Sequence, residues 1–125
     1  MKFIAALATI LVLLISIKAY CQTIPEVPIN TYVSVNNGVV YVEWQISGPV
    51  TSFEITAICV QGNTERRLSP ATVYNRFAVY SEADLKQTAN TLFGTTGPAK
   101  YRFAIRTLYN TLYSTETKTR TIQVK

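Results

Sequence analysis

The sequence predicts an all-β domain, a two-sheet β-sandwich of about seven antiparallel strands. Three observations predict it. Apolar and polar residues alternate at period two through most of the chain after an apolar start. Gly, Asn and Pro interrupt that alternation at spacings of roughly 8–12 residues, the rhythm of short strands joined by tight turns. No long helical pattern alternates with the strands, which removes a parallel βαβ arrangement.

The apolar start is a separate matter. Met1-Lys2 gives a short positive beginning and Phe3 to Ile17 a run that is apolar except for Thr9 and Ser16, followed by small residues. This is the pattern of a secretory signal peptide over 1–21, and the run is shorter than the roughly 20 residues a spanning helix needs. The domain is then 22–125, large enough to bury a core without staples, in a chain expected to be secreted with no further membrane span. Cleavage after Cys21 leaves Cys59 alone; cleavage after Ala19 keeps Cys21 and leaves a Cys21–Cys59 bridge open. Cys59 sits in an apolar run, where a thiol packs as a small hydrophobe.

Along the domain, Pro25 and Pro28 give an extended lead-in, and Thr31 to Val35 reads as the first strand. Asn36-Asn37-Gly38 is a strong hairpin signal, because the central residues of such a turn need positive φ. Val40, Val42, Trp44 and Ile46 then share one strand face, ending at Gly48-Pro49. Ser52 to Val60 carries Phe53, Ile55, Ala57 and Cys59 on one face, and its other face turns apolar toward Ile58. Gly62-Asn63 turns the chain into Thr64–Leu68. Val73 to Tyr80 reads as one further strand, with Val73, Phe77 and Val79 apolar. Ser81-x-x-Asp84 has the form of a capping box, and 81–93 reads as a short helix with the stripe Ala83, Leu85, Ala89 and Leu92, while Thr88, Thr91 and Phe93 fit a strand about as well. Tyr101, Phe103, Ile105, Thr107 and Tyr109 alternate in a long strand that ends at Asn110. Tyr113 to Val124 reads as one last strand with Thr115, Thr117, Thr119 and Thr121 on one half-exposed face. The predicted core is Trp44, Phe53, Ile55, Cys59, Tyr101, Phe103 and Ile105.

These residues resemble a fibronectin type III domain over nearly all of 25–124. Pro25 and Pro28 match that family's lead-in, Trp44 its second-strand tryptophan, and Gly48-Pro49 its following turn. Pro98-x-x-Tyr101-x-Phe103-x-Ile105 is similar to its tyrosine corner, and Tyr113-Ser114 to the pair that opens its last strand. The departures are a missing leucine and a proline one place late in Thr95-Thr96-Gly97-Pro98-Ala99-Lys100-Tyr101, which leave the corner geometry open. An immunoglobulin domain would need two core cysteines around a tryptophan, and only Cys59 falls in the core pattern. The architecture of a leader and one such domain also resembles the secreted host-protective antigens of tapeworm oncospheres. The resemblance implies an immunoglobulin-like sandwich used for recognition or adhesion.

Chemistry is constrained by composition. The chain has no histidine, so Ser-His and Cys-His catalysis and imidazole metal ligation are closed to it. Glu82 and Asp84 suit a helix N-terminus better than an acid/base pair. No cofactor, no metal and no enzyme activity are expected. Without Lys2 and Lys18, ten basic residues face seven acidic ones; they are dispersed except at Arg66-Arg67, so nucleic acid is not an expected partner. Tyrosines are the binding candidates: Tyr74, Tyr80, Tyr109 and Tyr113, with Leu108, Tyr109, Asn110, Leu112 and Tyr113 at the last turn as the leading surface. Arg66, Arg67 and the pair Arg102/Arg106 come second, as sites for an acidic or protein ligand. The expected partner is an extracellular protein or matrix ligand, and the expected state a monomer or weak homo-oligomer. Alternatives are a matrix or coat subunit that self-associates along the threonine strand or through Cys59, and a loop-based inhibitor of an extracellular enzyme.

Overall fold

The computed structural model describes residues 23–125; the signal peptide expected over 1–21, and with it Cys21 and the question of a Cys21–Cys59 bridge, lies outside them. The described chain forms β1 (Ile29–Asn36), β2 (Val39–Gln45), β3 (Ser52–Gln61), β4 (Thr64–Arg67), β5 (Ala71–Val73), β6 (Phe77–Ser81), α1 (Glu82–Phe93), β7 (Ala99–Tyr109), β8 (Leu112–Tyr113), β9 (Thr117–Lys118) and β10 (Ile122–Val124). One sheet has the order β1-β2-β6. The other has the order β10-β7-β3-β4, with β5 beside β3, and β8 and β9 beside β7. Every pairing between described strands is antiparallel. Counting β4 with β5 along one edge and β8, β9 and β10 along the other gives the seven strand positions expected.

The hairpin at Asn37-Gly38 turns through positive φ at both residues, and it fixes the register Val35 opposite Val40. That register turns Val33, Val40, Val42 and Trp44 inward. Opposite them, Phe53, Ile55, Ala57 and Cys59 of β3 meet Tyr101, Phe103 and Ile105 of β7. Trp44 is 2% exposed, and its ring meets Phe53 edge-on with centroids 5.3 Å apart, a favoured arrangement of aromatic quadrupoles. The second face of β3 is covered as well: Ile58 is fully buried, flanked on its face by Arg67 and Arg102, whose long stems shield it.

Helix α1 connects β6 of the smaller sheet to β7 of the larger one. Ser81 caps it by accepting from the Asp84 N–H at 3.3 Å, Glu82 and Asp84 sit in the first turn, and Gly94 ends it at φ 63°. Leu85 and Ala89, one turn apart, are its buried residues. Ala83 is exposed, because its angular position falls off that narrow stripe. The Tyr101 hydroxyl donates to the Leu85 carbonyl at 2.8 Å, so the corner tyrosine ties β7 to the helix.

Two expectations are corrected. Residues 73–80 are not one strand: Tyr74-Asn75-Arg76 carries the chain from β5 in one sheet to β6 in the other. After that crossing, Ala78 and Tyr80 pack on the core, while Phe77 and Val79 face solvent. The last strand is likewise three pieces, and its threonines do not share a face: Thr119 is buried, while Thr115 and Thr121 are exposed. At each break a hydroxyl stands in for a ladder carbonyl. The Thr107 N–H donates to Ser114 Oγ at 2.8 Å and the Phe103 N–H to Thr119 Oγ1 at 3.0 Å. The backbone N–H groups of Ser114 and Thr119 return bonds to the Thr107 and Phe103 carbonyls.

Burial pushes the Tyr80 hydroxyl up to about 12 and moves Tyr101 upward too, with Cys59 adding to the latter. The fold thus holds both rings neutral. Their contribution is complete below the ordinary tyrosine value near about 10 and is lost as pH rises toward the folded values. Tyrosinate absorbance from Tyr80 and Tyr101 is expected only together with unfolding. Their titration near the ordinary value in a chain that stays folded would contradict the burial described.

Candidate binding surface

The strand registers bring several loops to one end of the sandwich. Val73 and Thr107 flank Phe53 on either side of β3, so both β5 and β7 run out past Ser52 at that end. Trp44 donates its backbone N–H to the Arg76 carbonyl at 3.0 Å, which brings Tyr74-Asn75-Arg76 beside the loop of residues 46–51. The β7–β8 turn joins them: Thr51 donates its N–H to the Leu108 carbonyl at 2.8 Å, and the Asn110 N–H donates to Thr51 Oγ1 at 3.1 Å. Asn110 has φ 56°, a left-handed conformation that asparagine tolerates well.

The four large residues around Asn110 do not form one patch. Leu108 pairs with Tyr113, and Tyr109 with Leu112. Directly opposed residues share a face and successive residues alternate, so the two tyrosines lie on opposite faces of the larger sheet. Tyr109 is half-buried at the end of the core. Tyr113 is 43% exposed on the outer face, beneath the Arg106 guanidinium, whose central carbon lies 3.7 Å from the ring centroid, within cation–π range. Arg106 is held in place by Glu54, at 2.8 Å from Nη2 and 3.0 Å from Nε. Tyr74 is the most exposed large apolar or aromatic side chain described, at 78%. Tyr80 belongs to the core margin, with its ring 5.0 Å from that of Phe103.

Arg66 and Arg67 are separated in the same way. Adjacent on β4, they point to opposite faces: the Arg66 guanidinium lies 6.0 Å from the Phe93 ring centroid, and Arg67 Nη1 donates to both Glu116 oxygens at 3.0 Å. Arg67–Glu116, Arg102–Glu65 and Arg106–Glu54 make a ladder of ion pairs across the outer face of the larger sheet. The hydrogen bond from Arg102 holds the Glu65 carboxyl below its usual range. Each arginine of that face already has a carboxylate, which lowers its appeal to an acidic ligand. Sequence reading missed this ladder, although the signal is there: Arg102, Arg106 and Glu54 all sit on the polar side of a period-two strand. Cys59 is buried, and burial raises its thiol, so it is poorly suited to nucleophilic use. Among the described residues, no group of three or more His, Cys, Asp or Glu is arranged to hold a metal ion. No described helix is long and apolar enough to cross a membrane.

No family model matches the sequence, and no curated protein matches it significantly. Solved structures are similar in shape. A computationally redesigned β-sandwich protein, from work on negative design in β-sheets, superposes with a TM-score of 0.53 at 15% identity, covering 78% of this chain and 87% of its own. A structure described as that of a myokine gives a TM-score of 0.49 at 14% identity, with coverage of 81% and 96%. The FN5 domain of Drosophila Lar gives 0.45 at 14% identity, with coverage of 77% and 95%. At such identities the first of these bears on the fold alone. Together with the strand order, it makes this chain an antiparallel two-sheet β-sandwich, with one helix set between β6 and β7.

Proposed function

We propose that the protein is a secreted, non-catalytic recognition module that holds an extracellular protein or matrix ligand at the end of the sandwich bearing the Asn110 turn. The observation that carries this reading is that the segment bearing Tyr74 and the β7–β8 hairpin bearing Tyr109 and Tyr113 leave the sandwich at the same end, the first held by the Trp44 N–H on the Arg76 carbonyl and the second by hydrogen bonds with Thr51. Tyrosine offers a large amphipathic contact area at small entropic cost, and loops already held in place lose less freedom on binding. Leu108 shares the outer face with Tyr113, and Arg106 over Tyr113 supplies a polar rim. The apolar leader supports secretion, and the resemblance in architecture to secreted host-protective antigens fits a role outside the cell.

The test is solid-phase binding to a panel of purified matrix proteins, using Tyr74→Ser with Tyr113→Ser and leaving half-buried Tyr109 intact. Binding to whichever protein the native chain retains is expected to fall at least about tenfold, since interface tyrosines act as hot spots worth about 2 kcal/mol or more. The melting temperature should move by only a few degrees. Unchanged affinity in the folded double variant would remove this end from the contact surface.

A further inference from the structure

The two sheets have several outer edges, and they are protected unequally. Edge strands expose unpaired N–H and C=O groups, and proteins guard them with charge, bulges or cover. Strand β4 is guarded by Glu65, Arg66 and Arg67, all exposed. Strand β1 has an irregularity between Ile29 and Tyr32, and Arg120 Nη2 donates to its Val33 carbonyl at 2.8 Å. Strand β6 has neither: its sequence, Phe77-Ala78-Val79-Tyr80-Ser81, contains no charge and no proline, and its pairing with β2 is regular.

The register says which groups are open. Glu82 donates to the Gly38 carbonyl, and Trp44 to the Arg76 carbonyl. With Tyr80 opposite Val40 and hydrogen-bonded pairs recurring every second residue, Ala78 and Tyr80 turn their backbone groups toward β2. The N–H and C=O of Phe77 and Val79, and the N–H of Ser81, therefore point away from the sheet; the Ser81 carbonyl serves the first turn of α1. Phe77 and Val79 are 44% and 56% exposed. They continue across β2 through Tyr41, whose ring stacks on Phe77 with centroids 5.8 Å apart.

We infer that β6 is a self-association edge, taking as its partner β6 of a second copy of this chain in antiparallel register about Val79. Two observations favour a second copy over another strand. The open groups are self-complementary: Val79 meets Val79 of the second copy and exchanges both bonds with it, while the Phe77 carbonyl accepts from its Ser81 N–H. The flanking charges are also self-complementary, because this register sets Arg76 level with Glu82 of the second copy, and the reverse. Arg76 forms no ion pair among the described residues. The product is one continuous sheet, β1-β2-β6 joined to its symmetry mate, with an unbroken stripe of Tyr41, Phe77 and Val79 on its outer face. The edge is five residues long, so the association is weak and concentration-dependent.

Sedimentation velocity of the purified protein over about a hundredfold range of concentration tests this, since mass action governs the dimer. The average mass should rise from one chain toward two. Val79→Lys should raise the dissociation constant at least about tenfold, whereas Thr64→Lys on the guarded β4 edge should not change it. Arg76→Glu should weaken the dimer, and adding Glu82→Arg should restore it; the fluorescence of buried Trp44 reports that each variant is folded. A single-chain mass throughout, a dimer unmoved by Val79→Lys, or no rescue by the charge swap would overturn the inference. So would a chain that stays monomeric while an added peptide of the β6 sequence shifts the amide signals of Phe77, Val79 and Ser81. The Tyr74→Ser and Tyr113→Ser variants keep β6 intact, so this result is separable from the ligand test.

Discussion

Replacing Trp44 with alanine is expected to destabilise the domain by about 3–5 kcal/mol, the range for buried aromatic truncation. The ring is the largest fully buried side chain described and lies between the two sheets, edge-on to Phe53. Its neighbours Val40, Val42 and Ile55 belong to strands fixed on both sides, so the cavity has little means of collapsing. Loss of the indole N–H adds little, because Nε1 is buried without a partner among the described residues. Urea unfolding of the variant measures the effect. A cost below about 1 kcal/mol, the range of surface substitutions, would mean that β2 presents its other face to the core.

The second large effect is expected at the broken last strand. Ser114→Ala and Thr119→Val each remove the only acceptor shown for a buried β7 N–H, that of Thr107 and that of Phe103. An orphaned buried donor costs about 1–3 kcal/mol, and the two sites lie on different stretches of β7. The double variant should therefore lose about 2–6 kcal/mol, with little interaction between the changes. Thr119→Ser, which keeps the hydroxyl, should recover most of its half. If Thr119→Val, which keeps the methyl and removes only the hydroxyl, leaves stability unchanged, the hydrogen bond to the Phe103 N–H is not what holds this break.

How legible this was in the sequence depended on distance. Alternation plus local turn chemistry was enough for β1, β2, β3 and the long β7, because each turns one face to the core and Asn37-Gly38, Gly62-Asn63 or Asn110 marks a turn beside it. The capping residues of α1 were readable for the same reason. Sheet exchange was not readable: Tyr74-Asn75-Arg76 has no glycine or proline, and alternation continues across it, so the inversion that sends Phe77 and Val79 outward leaves no local mark. The breaks at Ser114 and Thr119 were hidden in a run of β-branched threonines that suits a strand, since their effect depends on which β7 N–H lies opposite. Tyr109 and Tyr113 read as one surface because they flank one turn. A two-residue turn puts Tyr109 against Leu112 and Leu108 against Tyr113, so the two rings fall on opposite faces of the sheet.

Hydrogen exchange read by mass spectrometry, on the protein alone and with the matrix protein it retains, tests the proposed contact surface most directly. The ligand should slow exchange in peptides covering residues 46–51, Tyr74–Arg76 and Leu108–Tyr113, and leave β4 and the β6 edge unchanged. Protection confined to β4 or to Phe77–Ser81, with the Asn110 turn exchanging as freely as before, would contradict the account.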